Sequence, residues 1–485
     1  MDMTPPQNPH HDRRWLILGV IAVAQLMVVL DATVVNIALP SAQRAVGFSD
    51  DARQWIITAY ALAFGSLLLL GGRLGDLFGR KWTFAGGLIG FATASAIGGA
   101  AGSFGVLVAA RAAQGTFGAM LAPSALALLS TTFTDPDERG KALGIFSAII
   151  ASGAAVGLLL GGVLTEWLSW RWCFFVNLLI AVPAVLAALR LIVNQPRPDR
   201  PPLDLPGTLT ATLGLFALVY GFANSTTHSW GDPVTVAMLA AGAILLAAFA
   251  AIEARAAHPL LPLRVLADRT RGGAYLGLGL AAIAMFAAFL FLTYYLQRTK
   301  GYSPIETGFA FLPMTAAIMV VAIAANVALL RRFGPRTLQT LGLLLGAAGM
   351  VWLAQLTPDS SYAGHVLPAL LVMGCGLGNV FATTIASATH GVDHEDTGVA
   401  SAMVNTMQQV GGSIGTALLS SIFAGAVSAY MDGRRPSAQA LTDASVHGYT
   451  VAFWVAAGIF AAGALIVGVT MRSVRVAPMM EPVAA

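Results

Sequence analysis

The chain has 485 residues, of which 57% are hydrophobic and 10% charged, and a net charge of +4. A soluble domain carries roughly 25% charged residues, so this composition excludes an ordinary water-soluble fold and points to the bilayer as solvent. The 27 Lys and Arg form no basic patch, which argues against nucleic acid as a partner, and the 2 Cys, Cys173 and Cys375, lie in apolar runs with no metal-ligand or disulfide spacing.

A membrane-crossing helix needs about 20 mainly apolar residues. Fourteen stretches meet that need: 15–39, 53–72, 81–101, 104–128, 140–165, 172–193, 206–226, 233–252, 272–296, 306–330, 337–356, 364–386, 398–428 and 449–471. Residues 1–14 form a polar tail, and the apolar run after them is too long for a cleaved leader, so it is expected to be a retained first span. The Pro-rich stretch 194–205 reads as an extended linker, residues 253–271 as a second loop, and 472–485 as a closing tail. An even span count puts both termini on one side. With the termini in the cytoplasm, 19 Lys and Arg fall on the inner side and 7 on the outer side, with Arg111 inside the fourth span. That bias is the positive-inside pattern of a multi-pass protein in a cell membrane. Arg outnumbers Lys 24 to 3, a usage that fits a bacterial genome rich in G and C.

Asp31 is the single charge in the first apolar run. Hydrocarbon disfavours a carboxylate's charged form, and ionisable residues inside a span are costly and mark function by default. Asp31 is therefore the candidate to load and release a proton; the alternative is a structural carboxylate bonded to a neighbouring helix. Between the second and third spans, Gly72, Arg73, Gly75, Asp76, Gly79, Arg80 and Lys81 form a short basic loop whose glycines permit a tight turn. It lacks the Gly-Lys-Ser/Thr ending of a phosphate loop, and no other stretch supplies one, so ATP drive is not expected. In the fourth span Arg111, Gln114, Gly115 and Gly118 share one helix face. That face suits either a cavity wall or a close helix contact, and Arg111 could equally be a structural cation bonded to carbonyls.

In the fifth span Gly153, Gly157 and Gly161 make a stripe at which helix backbones can touch. Glu166 at the end of that span is expected to pair with Arg171 or to be solvated. The run Gly374 to Gly378 lies within the twelfth span with no strand before it, so it is read as packing. Asn405, Gln408, Gln409 and Gly412 give the thirteenth span a polar stripe, and the loop before it carries Asp393, His394, Glu395 and Asp396. Asn36, Trp55, Tyr60, Gln114, Phe311, Met314, Asn405 and Gln408 are candidates to line a substrate cavity, since aromatic and Met side chains make adaptable apolar walls. Each of these aromatics could equally face lipid or another helix.

The chain repeats itself. Gly47-Phe48-Ser49 matches Gly301-Tyr302-Ser303. Phe78-Gly79-Arg80-Lys81 matches Phe333-Gly334-Pro335-Arg336. Gly140, Ala142, Gly153 and Gly157 match Gly398, Ala400, Gly411 and Gly415. The shifts are 254, 255 and 258 residues, and corresponding spans stand eight apart. Two six-span halves (15–193 and 272–471) therefore flank two inserted spans (206–252), and both halves run the same way across the membrane, as in parallel-repeat transporters.

These motifs together resemble the fourteen-helix drug:proton antiporters of the major facilitator superfamily. The resemblance rests on Leu30-Asp31-Ala32-Thr33 through Asn36 to Pro40, on Gly72 through Lys81, on Arg111-Ala112-Ala113-Gln114-Gly115, on Trp170-Arg171-Trp172 through Asn177, and on a span-5 motif of Gly144, Gly153, Gly157, Gly161 and Gly162. Two prolines usual in the family are absent: Leu158 follows the third glycine, and none follows closely on Asn177. The resemblance implies an all-α membrane protein with the major facilitator fold, two six-helix bundles plus two inserted helices. It implies efflux of an amphiphilic small molecule in exchange for protons, with Asp31 and Arg111 near a central cavity and the loop at Asp76 gating it. It implies substrate, protons and lipid as partners, no cofactor or metal, and a monomer. A metabolite or sugar importer of the same fold is the alternative. The spans hold no convergent nucleophile, base or metal ligands, so an enzyme is not expected, and the chain has no sizeable soluble signalling domain for a receptor.

Overall fold

The computed structural model describes residues 11–49, 52–133, 135–194, 204–256, 261, 263–325, 329–389, 397–435 and 437–472. Every regular element among them is helical. Fourteen helices reach 20 residues or more: α1 (Arg14–Val46), α2 (Gln54–Phe78), α3 (Arg80–Gly99), α4 (Phe104–Thr132), α5 (Pro136–Val163), α6 (Trp172–Leu191), α7 (Leu205–Thr227), α8 (Pro233–Glu253), α9 (Arg269–Tyr294), α10 (Pro304–Ala324), α11 (Leu330–Leu353), α12 (Leu367–Thr389), α13 (Thr397–Met431) and α14 (Ala438–Thr470). Of the described helices, 10 are long and apolar enough to cross a membrane by length and composition. The others are α2, α3, α5 and α11, which carry the glycines and charges of the repeated motifs; α2 keeps a shorter apolar stretch at Trp55–Leu68, and another, Val156–Leu168, begins in α5 and runs past its end.

Local chemistry sets the helix ends. Ser103, Asp204, Asp232 and Ser437 accept hydrogen bonds from the first free amides of α4, α7, α8 and α14. Gly47 ends α1 in the left-handed conformation at φ 79°, where its amide bonds to the Gln43 carbonyl. Positive φ occurs at Gly79 (91°) between α2 and α3, and at Gly301 (72°) and Gly334 (76°). The repeat read from sequence pairs Gly47 with Gly301 and Gly79 with Gly334, so both pairs share a backbone requirement that only glycine meets cheaply.

The chain divides into two compact units. The first is Met1–Leu261 with Phe289–Leu312 and Thr416–Ser421, and the second is the remainder from Pro262 onward. The segment joining α9 to α10 thus belongs to the first unit. In that unit α1 packs against α4, α5 and α6, α2 against α3, α4 and α7, α3 against α4 and α6, and α7 against α8. In the second unit α11 packs against α12 and α14.

Glycines mark the closest approaches. In the first unit the Gly153, Gly157 and Gly161 stripe of α5 lies against Leu26 to Ile37 of α1. In the second, Gly411 and Gly415 of α13 lie against Gly279, Ala282 and Ile283 of α9. The repeated sequence is thus a repeated contact. Interhelix contact without side-chain bulk is what lets apolar helices associate in lipid, where burial of apolar surface gives no driving force.

Candidate functional site

Asp31 lies midway along α1 and is 1% exposed. A carboxylate so deep must find donors or lose its charge. Arg111 Nη1 on α4 donates to Asp31 Oδ2 at 2.6 Å. Gln114 Nε2, one turn further along α4, donates to Oδ1 at 2.7 Å. Asn177 Nδ2 on α6 donates to the same oxygen at 2.8 Å. The Ser95 hydroxyl oxygen on α3 accepts from both amides, at 2.7 Å from Gln114 and 3.2 Å from Asn177.

Arg111 has further partners. Its Nε donates to the Ile56 carbonyl at 3.1 Å and Nη1 also donates to Gln114 Oε1 at 3.0 Å. Its guanidinium carbon lies 4.3 Å from the Tyr60 ring centroid, within cation–π range. The small face of α4 makes this possible. A Cβ at Gly115 would collide with the Tyr60 carbonyl, and one at Gly118 would meet the Phe64 ring at 2.9 Å. These glycines bring α2 against α4 and set Tyr60 over the guanidinium. Arg111 and Gln114 share that face at the i, i+3 spacing and reach the same carboxylate from it.

The α5 stripe is aimed at this carboxylate's own helix. Gly153 faces Leu26 and Val29, Gly157 faces Leu30 and Thr33, and Gly161 faces Val34 and Ile37. These residues bracket Asp31. Thr33 bonds back to the Val29 carbonyl at 3.0 Å and the Leu30 carbonyl at 3.1 Å, a contact that bends helices. Gly162 lies beside the backbone of Pro304 and Ile305. Gly144 is a residue of α5. Glu166 and Arg171, read as a candidate pair, take other partners. Glu166 accepts from the Ile305 amide at 3.2 Å, and Arg171 donates to the Gly99 and Ala101 carbonyls at 2.8 and 2.7 Å.

In the loop motif, Gly79 makes the turn from α2 to α3. Arg80 then donates to the Ala127 carbonyl of α4 at 3.2 Å, and Lys81 to the Leu189 carbonyl in the last turn of α6 at 2.8 Å. Cations suit a helix C-terminus, where carbonyls are unsatisfied and the dipole is negative. Gly72 and Gly75 face Pro123 and Ser124 of α4. The side chains of Arg73 and Asp76 fall outside the described set, as does the acidic loop at Asp393 to Asp396.

The remaining cavity candidates fall in both units, Asn36, Trp55 and Phe311 in the first and Met314, Asn405 and Gln408 in the second. Asn36, 7% exposed, bonds to its own helix at the Ala32 carbonyl. Trp55 sits 5.7 Å from the Tyr220 ring on α7. Phe311 pairs with Phe289 at 5.1 Å. Met314 is fully buried, its backbone beside Gly374 of α12. Asn405 and Gln408 are half-buried on α13. The structure brings together Asp31, Arg111, Gln114 and Tyr60 and adds Asn177 and Ser95, which sequence reasoning had not placed at the site. A signal existed for Asn177: a lone amide in the apolar run of α6 must find a buried partner.

Comparison with known proteins agrees with this architecture. The sequence model described as Major Facilitator Superfamily matches residues 21–416. The chain is 51% identical over 464 residues to a puromycin resistance protein of Streptomyces alboniger, covering 95% of this chain and 92% of that one. It is 40% identical over 399 residues to a cephamycin export protein of Amycolatopsis lactamdurans, covering 82% of each. Among solved structures, an auto-inhibited POT-family peptide transporter aligns with a TM-score of 0.69 at 18% identity, over 96% of this chain and 99% of the other. A bacterial homologue of the human lysosomal transporter Spinster aligns at 0.66 and 18% identity, over 95% and 97%. At such identity these likenesses speak for the fold alone, while the sequence matches settle the kinship: the chain belongs to the major facilitator superfamily.

Proposed function

We propose that this protein is an exporter of amphiphilic antibiotics and related small molecules, driven by protons that enter in exchange. The observation that carries the reading is the carboxylate of Asp31, sealed in the first unit and neutralised by Arg111. Protonating Asp31 would leave Arg111 a buried cation without its counter-charge. Removing one partner from such a pair costs about 3–5 kcal/mol, and about 1.4 kcal/mol already shifts a conformational equilibrium tenfold. A single proton on Asp31 is therefore enough to change which conformation of the carrier is favoured. The α5 glycine stripe packs on the turns around Asp31, so a tilt of α1 against α5 and a change in Asp31's surroundings are one motion.

The relatives named for puromycin resistance and cephamycin export support antibiotics as the cargo class. In this reading all fourteen helices cross the membrane, both termini are cytoplasmic, the loop at Gly72 to Lys81 gates the inner side, and a monomer works without catalysis or cofactor. The test is growth of pump-deficient bacteria under puromycin challenge. Wild type protects, and Asp31→Asn, present in the membrane at equal amount, does not. Protection by both variants removes Asp31 from the mechanism. Puromycin uptake into the cell by wild type would instead assign the importer alternative.

A further inference from the structure

A buried acid that alternates between two protonation states needs a different hydrogen-bond environment in each. As a carboxylate, Asp31 wants donors; as a carboxylic acid, it needs an acceptor for its new O–H. Its three partners all donate. Gln114 presents the wrong end: its Nε2 faces Asp31 and Ser95, and its Oε1 is turned to Arg111 Nη1, where a half-turn would set an NH2 against the guanidinium. Asn177 is different. It is fully buried, its Nδ2 faces Asp31 and Ser95, and its Oδ1 has no hydrogen-bond partner. Native proteins seldom leave a buried carbonyl orphaned, and such an exception calls for an explanation.

We propose that Asn177 is a two-state amide that serves both forms of Asp31, turning over when the proton arrives. A half-turn about its terminal torsion exchanges Nδ2 for Oδ1 at the same point and carries Nδ2 to the side where Oδ1 now lacks a partner, so one end of the amide is paired in each state and the proton on Asp31 decides which. The proton comes from water and forms an O–H bond on Asp31 Oδ1. That O–H donates to Asn177 Oδ1, and Arg111 keeps its own proton throughout. The Ser95 hydroxyl, which accepts from Nδ2 in the structure, rotates to donate to Oδ1 after the turn, as a hydroxyl can do either. On release the O–H bond breaks, the proton returns to water on the other side, and the amide turns back. Among the described residues Arg111 from α4 bonds to Asp31, and Tyr60 from α2 and Cys173 from α6 interact with it electrostatically; the Tyr60 hydroxyl also lacks a partner but makes no hydrogen bond to Asp31, and the Cys173 thiol contacts Thr165 and the Gly161 carbonyl. Asn177 is a positioning residue in this scheme and never holds the proton.

The inference rests on proton loading at Asp31, and the experiment separates the two. Full-length protein in lipid nanodiscs is followed by infrared difference spectroscopy across a pH titration, with side-chain-labelled asparagine to mark amide carbonyls. A carboxylic-acid band present in wild type and absent from Asp31→Asn is expected to rise as the pH falls. An Asn amide carbonyl band is expected to shift in step with it, and to vanish in Asn177→Leu. In Asn177→Leu the acid band is expected at a higher wavenumber, that of an O–H without an acceptor, with puromycin-driven proton exchange in vesicles at least about tenfold slower. Asn177→Thr, whose hydroxyl both donates and accepts, is expected to recover part of the rate. Absence of the Asp31 band overturns proton loading itself. An Asp31 band with no responding asparagine, or one unchanged in Asn177→Leu, overturns the amide switch alone. The labelled wild type distinguishes these outcomes even where Asn177→Leu fails to fold.

Discussion

The pairing of Asp31 with Arg111 can be put to a double-mutant cycle. Asp31→Asn removes the negative charge with little change of shape, and Arg111→Gln removes the positive one. Arg111→Gln leaves a carboxylate at 1% exposure with only the Gln114 and Asn177 amides as donors. Asp31→Asn leaves a guanidinium at 2% exposure that still has the Ile56 carbonyl, Gln114 Oε1 and the Tyr60 ring. Each single change breaks a buried pair, a loss of about 3–5 kcal/mol, with Asp31→Asn at the lower end because Arg111 keeps more partners. The double variant has no unpaired charge. It should therefore lose less than the singles combined, by about 2–3 kcal/mol, at the upper end of coupling between contacting residues. The assay is equilibrium unfolding of the four proteins in detergent micelles. Additivity within about 0.5 kcal/mol, the value for independent sites, would refute the pairing and the charge argument built on it.

Other expectations follow from particular contacts. Gly157→Ala places a Cβ against the Thr33 hydroxyl and 3.3 Å from the Leu30 Cα; overpacking of this kind costs about 1–3 kcal/mol, and thermal melting should fall together with transport, whereas Gly86→Ala, with nothing near its Cβ, should not reduce stability. Gly79→Ala forces a side chain to φ 91° and into Asn194, and Gly334→Ala repeats the backbone part of that penalty at φ 76°; each should cost about 1–3 kcal/mol in melting experiments. Trp55→Ala and Tyr220→Ala should show a coupling of roughly 0.5–1.5 kcal/mol in a double-mutant cycle, the worth of an aromatic pair beyond its area, since the two rings meet each other.

Asp31 and Arg111 were legible because a charge inside an apolar run has few bland explanations. Their partnership was not, because the pair is 80 residues apart in sequence and Asn177 is 146 residues from Asp31. The glycine stripes were legible for a similar reason. Small residues at i, i+4, i+8 have one mechanical consequence, a close helix contact, and both α5 and α13 show it. The surroundings of the aromatic and Met candidates were not legible, because hydropathy in a bilayer does not distinguish a lipid-facing side from a core-facing one. Trp55, Phe311 and Met314 are apolar wherever they point, and they ended against Tyr220, against Phe289 and inside the second unit. A residue that must be paired to be buried, or a stripe with no side chain to bury, reveals its surroundings from sequence; a lone apolar side chain does not.

The repeat makes that contrast sharper. The α5 glycines meet Leu26, Val29 and Leu30 where the α13 glycines meet Gly279, Ala282 and Ile283, a constant shift of 253 residues. By that register Asp31 corresponds to Ala284. Gly115 meets the Tyr60 carbonyl and Ala63 where Gly374 meets the Met314 carbonyl and Ala317, so Arg111 and Gln114 correspond to Leu370 and Met373, and Tyr60 to Met314. Ala284, Leu370 and Met373 are all at most 1% exposed. The second unit thus keeps these helix contacts and has Ala284, Leu370 and Met373 where the first has Asp31, Arg111 and Gln114. Packing and charge are separable in this fold, because glycines set where the helices touch while the polar residues only fill the space so defined. Ala284→Asp tests the point, since by this register an aspartate there would have Leu370 and Met373 where Asp31 has Arg111 and Gln114. A carboxylate at the middle of a membrane helix costs about 2.5–3.5 kcal/mol even on the permissive insertion scale, so membrane yield and melting temperature should both fall. Wild-type yield and melting for Ala284→Asp would mean that this position is not sealed in an apolar core, and the register that equates the two halves would fail with it.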